Sequence, residues 1–386
     1  MIKERFKKII IPVLGTSLVL SSLVATNYSI ARASSGTSVH EHKTEQQSQK
    51  IVIDLKQNKA VKQIDSYLKK EKFNGTVLIA KNGKIVLTKG YGQSNFQTKS
   101  LNNIETIFRV GSVTKTFTAT AILQLVDQGK VKLDDPLIKF IPDFPSGDKI
   151  TIHQLLSHTS GIPEIVTEAI WNDPVKRNQY VSQEEMVDQI KNLKLVSEPG
   201  TKYMYSNSNY ALLSYIIEKA SHTTWENYVN EYFFKPLKMH RSGVDINQPI
   251  IPNHAVGTGI LVDKNHDMSY AVGAGSIYST VGDLFKFDQA LLSGKLISKQ
   301  SLAKMFKPVL DGYSYAWFSG KDLKLSSDWK YHDGHIPGFI SFNAVNKKQN
   351  MEVIMLTNKG PKTIDDFNKL NTFKSELTKL AEKLSH

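Results

Sequence analysis

The feature that most constrains the fold is a helical run from Thr116 to Val126 that is apolar on most of its faces. A helix without a polar face must be surrounded by other elements, so this run predicts a buried central helix. Gly129 marks its expected end. The chain has no cysteine. Its 386 residues must therefore enclose that helix by packing alone, and they are enough for one large domain or two intertwined ones.

Strand-like runs lie near both ends of the chain. Asn82-Gly83 stands between two β-branched runs, which is a strong signal for a two-stranded hairpin. Similar runs return far along the chain, ahead of a final helical pattern over about 362–384: Phe339–Val345 and Met351–Thr357. The region between is mostly helical in pattern and is broken by prolines. The predicted fold class is an α/β body assembled from both ends of the chain, with a helical insertion.

The first residues are typical of a secretory signal peptide, predicted over 1–33. A basic start and an apolar run precede small residues at Ala31-Arg32-Ala33, as signal peptidase requires. The alternative is an uncleaved membrane anchor, because the apolar run is near the short end for spanning a bilayer. We therefore expect a secreted protein, or one on the outer face of the membrane or in the cell wall.

The predicted organisation continues with a polar, flexible linker over 34–58. One folded domain then covers 59–380. Its α/β part is expected at about 59–129 and 256–386, and its helical part at about 130–255.

The net charge of +13 suggests an affinity for anionic cell-envelope surfaces, such as teichoic acids or acidic lipid headgroups. The alternative of equal weight is that the charge only serves solubility. Nucleic acid is not expected as a partner of an exported protein.

Ser112 and Lys115 form a Ser-x-x-Lys pattern at the start of the apolar helix. The pattern also occurs elsewhere, but only Ser112 follows a glycine and opens a buried helix. Three-residue spacing puts both side chains on one helix face, and the helix N-terminus favours developing negative charge. The pair is either a nucleophile with its base, or an ordinary helix cap with a neighbouring lysine.

Two later motifs complete a set suited to acyl transfer. Tyr205-x-Asn207 follows a turn-rich segment and precedes a buried helix, although a packed aromatic residue is the alternative for Tyr205. His332-Asp333-Gly334 begins a strand, where Gly334 allows a substrate backbone to approach. His332 could donate a hydrogen bond or carry partial positive charge near a substrate carboxylate, or simply be a half-buried strand histidine. The side chain of the nearby His335 is expected at the surface.

A serine nucleophile must lose its proton to a base. Lys115 can serve only if its ammonium is deprotonated, or if it holds Tyr205 as a phenolate; the sequence leaves both open. Because burial and nearby cations lower a lysine pKa, this role predicts a site poor in carboxylates around Lys115. The sequence has no G-x-S-x-G elbow, no H-E-x-x-H and no P-loop, so neither a metal nor a cofactor is expected.

In this order, the motifs resemble the serine β-lactamase and penicillin-binding-protein-like superfamily, on its class C and D-Ala-D-Ala carboxypeptidase side. The resemblance covers about residues 60–380 and includes four further stretches: Phe108–Lys115, Leu133–Pro136, Leu155–Pro163 and Gly275–Leu284. It implies an antiparallel β-sheet flanked by helices, together with an all-α domain.

The resemblance also implies roles for the site residues. Ser112 would be the acylated nucleophile, Lys115 its proton partner, and Tyr205 a general base and then acid. Asn207 would bind a substrate amide. The oxyanion hole would use the backbone N–H groups of Ser112 and His335. The implied substrate-binding set is therefore Asn207, His332, Gly334 and His335.

One departure concerns His332, where class C β-lactamases carry lysine. Histidine is usual in the carboxypeptidase, D-aminopeptidase and esterase-like branches, so strong β-lactamase activity is not expected. The stretch Gln63 to Gly92 is also similar to the staphylococcal FmtA-type protein, which removes D-alanine esters from teichoic acids.

The expected function is that of an exported serine hydrolase acting through an acyl-enzyme on a D-alanyl or D-amino-acyl bond of the cell envelope. A D,D-carboxypeptidase or D-peptidase is the first choice, with a peptidoglycan-derived substrate. The alternatives are an esterase acting on teichoic acids, a weak class C-like β-lactamase, and a slow penicillin-binding receptor. β-Lactams are candidate ligands in each case.

Overall fold

The computed structural model describes residues 58–166, 173–246, 251–258, 267–361 and 364–384. The predicted signal peptide, and the predicted linker apart from Asn58, lie outside these ranges. Within them, no helix has both the length and the apolar character needed to cross a membrane.

The described strands fall into one large sheet and two small ones. In chain order they are β1 Gly75–Lys81, β2 Lys84–Tyr91, β3 Gln93–Asn95, β4 Ser100–Leu101, β5 Phe108–Arg109, β6 Gly243–Val244, β7 Ile277–Ser279, β8 Phe318–Ser319, β9 Trp329–Ile336, β10 Phe339–Asn346 and β11 Met351–Thr357. The six-stranded sheet has the order β2-β1-β11-β10-β9-β8, and every recorded pairing in it is antiparallel.

Ten α-helices lie within the described ranges. In chain order they are α1 Lys59–Lys70, α2 Thr114–Asp127, α3 Ile152–Leu156, α4 Pro174–Arg177, α5 Gln183–Lys191, α6 Asn207–Ser221, α7 Trp225–Val229, α8 Val281–Leu292, α9 Lys299–Phe306 and α10 Ile364–Glu382. A π-helical turn, Asn230–Phe234, extends α7.

The predicted hairpin joins β1 and β2. Asn82 and Gly83 both have positive φ, at 54° and 70°, as a tight turn between antiparallel strands requires. β1 then pairs with β11 on its other side, with Gly75 opposite Thr357. The large sheet is therefore assembled from both ends of the chain, and the predicted fold class is confirmed.

Strands β10 and β11 are buried on both faces, which is why they read as continuous apolar runs. One face packs against α1 and α10, where the rings of Tyr67 and Phe373 stack at 5.4 Å. The other face, which includes Ile354 and Leu356, shares a hydrophobic cluster with α2, α6 and α8. The sheet is thus the middle layer between two sets of helices.

Helix α2 is the buried central helix that the sequence predicts. Ten consecutive residues from Thr114 to Leu123 are buried. Phe117 stacks on Phe287 of α8, with ring centroids 3.8 Å apart. The helix ends at Asp127, and Gly129 follows with a φ of 72°. Because α2 is enclosed by its neighbours, its first turn has a fixed position relative to the sheet.

Candidate active site

A short 3-10 turn, Gly111–Val113, leads into α2 and carries Ser112. Gly111 adopts a φ of 52°, a left-handed conformation that glycine reaches at little cost. The preceding Val110 donates its N–H to Ile277 O at 3.0 Å and accepts a bond from Ser341 Oγ at 2.6 Å. Strands β7 and β10 therefore fix the backbone that presents Ser112.

Lys115 lies one turn further along and is fully buried. Its Nζ is 3.0 Å from Ser112 Oγ, 2.7 Å from Asn207 Oδ1 and 2.8 Å from Ala274 O. All three N–H groups of an ammonium would have an acceptor here. The predicted nucleophile and its predicted base are thus in direct contact.

Burial is the main cause of a lowered pKa at Lys115. It brings the pKa to about 7, although the negative charge of Glu164 acts in the opposite direction. At neutral pH, a large fraction of Lys115 is therefore an uncharged amine that can accept a proton.

The loop that carries Tyr205 rests against the Leu155–Pro163 motif. His158 Nδ1 accepts the N–H of Ser206 at 3.2 Å. Pro163 O accepts the hydroxyls of Ser206 at 2.9 Å and Ser208 at 2.7 Å. His158 and both serines are buried, so the motif supplies polar partners for a loop that is closed off from water.

Tyr205 lies beside both Ser112 and Lys115. Lys115 Nζ is 4.9 Å from the centroid of its ring. Burial raises the pKa of Tyr205 well above 10, and a side-chain hydrogen bond with Ser112 lowers it only in part. The phenol therefore stays protonated at neutral pH, which disfavours a resting phenolate as the first base.

Asn207 is the first residue of α6, and its side-chain amide is engaged at both ends. Its Oδ1 accepts from Lys115, while its Nδ2 donates to Glu164 Oε2 at 3.0 Å. No motif in the sequence pointed to Glu164, which directly follows the Leu155–Pro163 stretch. Among the described residues, no carboxylate contacts Lys115 directly, and Glu164 reaches it only through the Asn207 amide.

Strand β9 approaches the Ser112 segment at Gly334. A Cβ at this position would lie 2.0 Å from Val110 O and 2.8 Å from Ser112 N. Only glycine allows this contact between the two backbones. The contact places the third motif against the segment that carries Ser112.

His332 is buried with 1% of its surface exposed. Its Nδ1 is 2.6 Å from Asp333 O, and its Nε2 is 3.3 Å from the hydroxyl of Tyr313. Burial and the nearby Lys115 lower the pKa of His332 to about 3. Of the roles considered for His332, a partial positive charge near a substrate carboxylate is not supported, because the imidazole is neutral and has partners at both nitrogens.

The other residues of the third motif connect β9 to α10. Asp333 Oδ2 is 2.5 Å from Nζ of Lys374, whose side chain is fully buried. Burial alone would raise the pKa of Asp333, but the Lys374 charge holds it below its usual value. The side chain of His335 is 38% exposed and meets the ring of Phe367 edge-on. A surface position was expected for it.

A small cavity brings three of the predicted residues together: Ser112, Asn207 and His335. The rest of its lining is mostly small or apolar and comprises Gly111, Val166, Met268, Tyr270, Ala271, Ala274, Gly275 and Ile336. Such a lining suits a compact acyl group next to the serine hydroxyl. Across the described ranges, no group of three or more His, Cys, Asp or Glu side chains could hold a metal ion.

Comparison with known proteins gives the family. Residues 61–374 match the family model described as Beta-lactamase. PbpX of Bacillus subtilis (strain 168), which is named as a penicillin-binding protein, is 35% identical over 321 residues, 82% of this chain and 78% of PbpX. The chain belongs to the beta-lactamase family. It is a serine hydrolase of the superfamily that includes the penicillin-binding proteins.

Solved structures share the same fold. FmtA from Staphylococcus aureus superposes with a TM-score of 0.70 at 23% identity, covering 85% of this chain and 91% of that one. A D-stereospecific amidohydrolase from Streptomyces sp. gives a TM-score of 0.63 at 26% identity, covering 77% and 93%. These matches confirm the resemblance and the fold class predicted from the sequence, including the antiparallel sheet flanked by helices.

Proposed function

We propose that this protein hydrolyses a D-alanyl or related D-amino-acyl bond of the cell envelope through an acyl-enzyme on Ser112. The observation that supports this most directly is the contact between Ser112 Oγ and a buried lysine amine whose pKa is about 7. The name of the 26%-identical D-stereospecific amidohydrolase supports the D-configuration of the substrate.

Acylation begins with Lys115. As a neutral amine it accepts the proton of Ser112 Oγ from 3.0 Å away, and the alkoxide attacks the substrate carbonyl. The backbone N–H groups of Ser112 and His335 stabilise the oxyanion, a contribution on the order of a few kcal/mol. The new ammonium keeps two acceptors, Asn207 Oδ1 and Ala274 O, so its charge remains solvated by the protein.

Tyr205 completes the proton transfers. Because its raised pKa keeps the phenol protonated, Tyr205 donates a proton to the leaving group as the bond to the acyl carbon breaks. The resulting phenolate lies beside the Lys115 ammonium, which stabilises it. In deacylation the phenolate takes a proton from water, the hydroxide attacks the acyl carbon, and Lys115 returns its proton to Ser112 Oγ.

One observation bears on the leaving group. A D,D-carboxypeptidase substrate ends in a carboxylate, and so does the bicyclic core of a penicillin. His332, the expected partner for that carboxylate, is neutral and buried. This favours an amide or ester whose leaving group carries no carboxylate, including a D-alanyl ester of teichoic acid, over a carboxypeptidase substrate. Slow acylation by β-lactams follows from the same feature.

Export and the envelope location are part of the proposal. They rest on the signal-like composition of residues 1–33 and on the net charge of +13, of which +9 remains without those residues and favours association with anionic polymers.

Intact-protein mass spectrometry tests the proposal. The protein is mixed with a D-alanyl ester, an N-acylated D-Ala-D-Ala peptide or a fluorescent penicillin, and adducts are followed over time. We expect a transient adduct with the ester and an adduct that forms more slowly with penicillin. Both adducts should be absent from Ser112→Ala. Ser327→Ala is the matched control, because Ser327 is exposed and repeats the Ser-x-x-Lys spacing with the half-buried Lys330.

Three outcomes discriminate among the alternatives. Turnover by Ser112→Ala would refute the assignment of the nucleophile. Rapid release of D-alanine from the N-acylated D-Ala-D-Ala peptide, without turnover of the ester, would favour the carboxypeptidase. A penicillin adduct that does not decay, without turnover of any substrate, would favour the penicillin-binding receptor.

A further inference from the structure

Glu164 makes three hydrogen bonds at the edge of the site. Its Oε2 accepts the backbone N–H of Asn207 at 2.8 Å and the side-chain Nδ2 of Asn207 at 3.0 Å. Its Oε1 accepts the N–H of Val166 at 2.8 Å. No side chain of α6 caps its first turn, since Ser206 makes no side-chain capping bond. Glu164 therefore caps the N-terminus of α6, which is the end that carries Asn207.

These bonds fix the orientation of the Asn207 amide. A carboxylate only accepts hydrogen bonds and an ammonium only donates them, so Nδ2 must face Glu164 while Oδ1 faces Lys115. The reversed amide would place oxygen against oxygen and N–H against N–H. The amide oxygen that holds Lys115 in place thus depends on a carboxylate that does not itself contact Lys115.

We infer that Glu164 is a positioning residue for the acylation step: it orients Asn207 toward Lys115 and its negative charge stabilises the ammonium that forms when Lys115 accepts the Ser112 proton. This inference rests on the proposed role of Ser112 and Lys115. Glu164 therefore has two separable effects: it sets the orientation of the Asn207 amide, and it raises the proton affinity of Lys115.

Among the titratable groups around Lys115, Glu164 is the one whose charge raises the pKa of the lysine. Burial raises the pKa of Glu164 itself, while its hydrogen bonds to Asn207 and Val166 and the Lys115 charge act in the opposite direction. His158 and His332 are buried, and burial together with Lys115 itself keeps the pKa of each well below neutral. Tyr205 and Tyr210 face Lys115 with their rings, and burial raises the pKa of both. All four are uncharged near pH 7.

The test is the pH dependence of kcat/KM for a D-alanyl ester. The wild-type rate rises with pH as Lys115 loses its proton. In Glu164→Gln the loss of negative charge makes Lys115 more acidic, so the midpoint moves down by about one pH unit. The plateau falls, because the neutral amide holds Asn207 less firmly. Glu164→Asp keeps the charge and should keep the midpoint while lowering the plateau.

Glu185→Gln is the matched control. Glu185 is an exposed carboxylate that accepts the Ser182 N–H in the capping box of α5, far along the chain from Ser112. This variant should leave the midpoint and the plateau unchanged. A Glu164→Gln variant with a lowered plateau and an unmoved midpoint would show a merely structural role and overturn the inference.

Two further readouts keep the test decisive. If Glu164→Gln does not fold, an NMR titration of Lys115 Nζ in the wild-type protein should show two inflections, one from its own ionisation and one from that of Glu164. A single inflection would overturn the inference. Failure of the proposed function is recognised separately, since adducts that persist in Ser112→Ala would refute the nucleophile whatever Glu164 does.

Discussion

Two fully buried lysines on the two sides of β9 have different surroundings. Lys115 meets three uncharged oxygen atoms, from a serine, an asparagine and a backbone carbonyl. Lys374 meets the carboxylate of Asp333 at 2.5 Å. With no carboxylate in contact, burial brings the pKa of Lys115 close to neutrality, which suits a base. Lys374 is paired with a carboxylate instead, and the pair links two elements, β9 and α10.

The largest effect is expected at Lys115 itself. Lys115→Met removes the base while filling much the same space, so kcat/KM should fall by at least about 10³-fold. Stability should be kept or increased, because a buried amine is replaced by an apolar group. Steady-state kinetics and thermal melting measure the two. Retained activity would contradict the assignment of the base. Lys330→Met, which replaces a half-buried lysine of β9, is the control.

Replacing Lys374, unlike replacing Lys115, should lower the stability of the protein. Lys374→Met leaves Asp333 without its partner, which should lower the free energy of unfolding by about 3 kcal/mol. Denaturant titration measures this change. The double variant Asp333→Asn/Lys374→Met should recover much of the loss, since no lone charge remains. If the single variant is as stable as wild type, Lys374 does not link α10 to β9 in the way we describe.

Glu352 of β11 is a buried carboxyl group, and burial shifts its pKa as it does that of the buried lysine Lys115. Glu352 of β11 bonds to Gln289 and has one oxygen with no hydrogen-bond partner among the described residues. Burial raises its pKa to about 7 from 4.5. The folded state therefore holds the proton more tightly than the unfolded chain, so stability falls as pH rises from about 4.5 to 7.

Glu352→Gln should remove that loss. We expect a gain of about 2–3 kcal/mol at pH 8 and almost none at pH 4, read from denaturant unfolding at the two values. An equal change at both pH values would show that packing, rather than ionisation, governs this position.

The smallest effect concerns the wild-type rate. Below pH 7, kcat/KM should fall about tenfold per pH unit as Lys115 becomes protonated. The measurement is a pH–rate profile with an uncharged leaving group. A profile that begins to rise only well above pH 10 would indicate that the phenol of Tyr205, and not Lys115, is the group that must lose its proton.

The sequence allowed prediction wherever a local pattern decides the structure. The Asn82-Gly83 turn, the buried helix α2 and the Ser-x-x-Lys spacing all depend on neighbours within a few residues. Glu164 could not be found in this way, because its role arises only when its loop folds against the first turn of α6. His332 is neutral because it is buried, with Tyr313 in contact and Lys115 nearby, and no local sequence pattern reports these neighbours.

The pairing of β1 with β11 also governs when the large sheet can form. The chain is synthesised from its N-terminus, so β1 and β2 exist long before their partner does. Until Met351–Thr357 has been made, β1 exposes an unpaired edge that can take up a strand from another molecule. Fragments that stop short of β11 should therefore aggregate, and the last strand, rather than the first, completes the molecule.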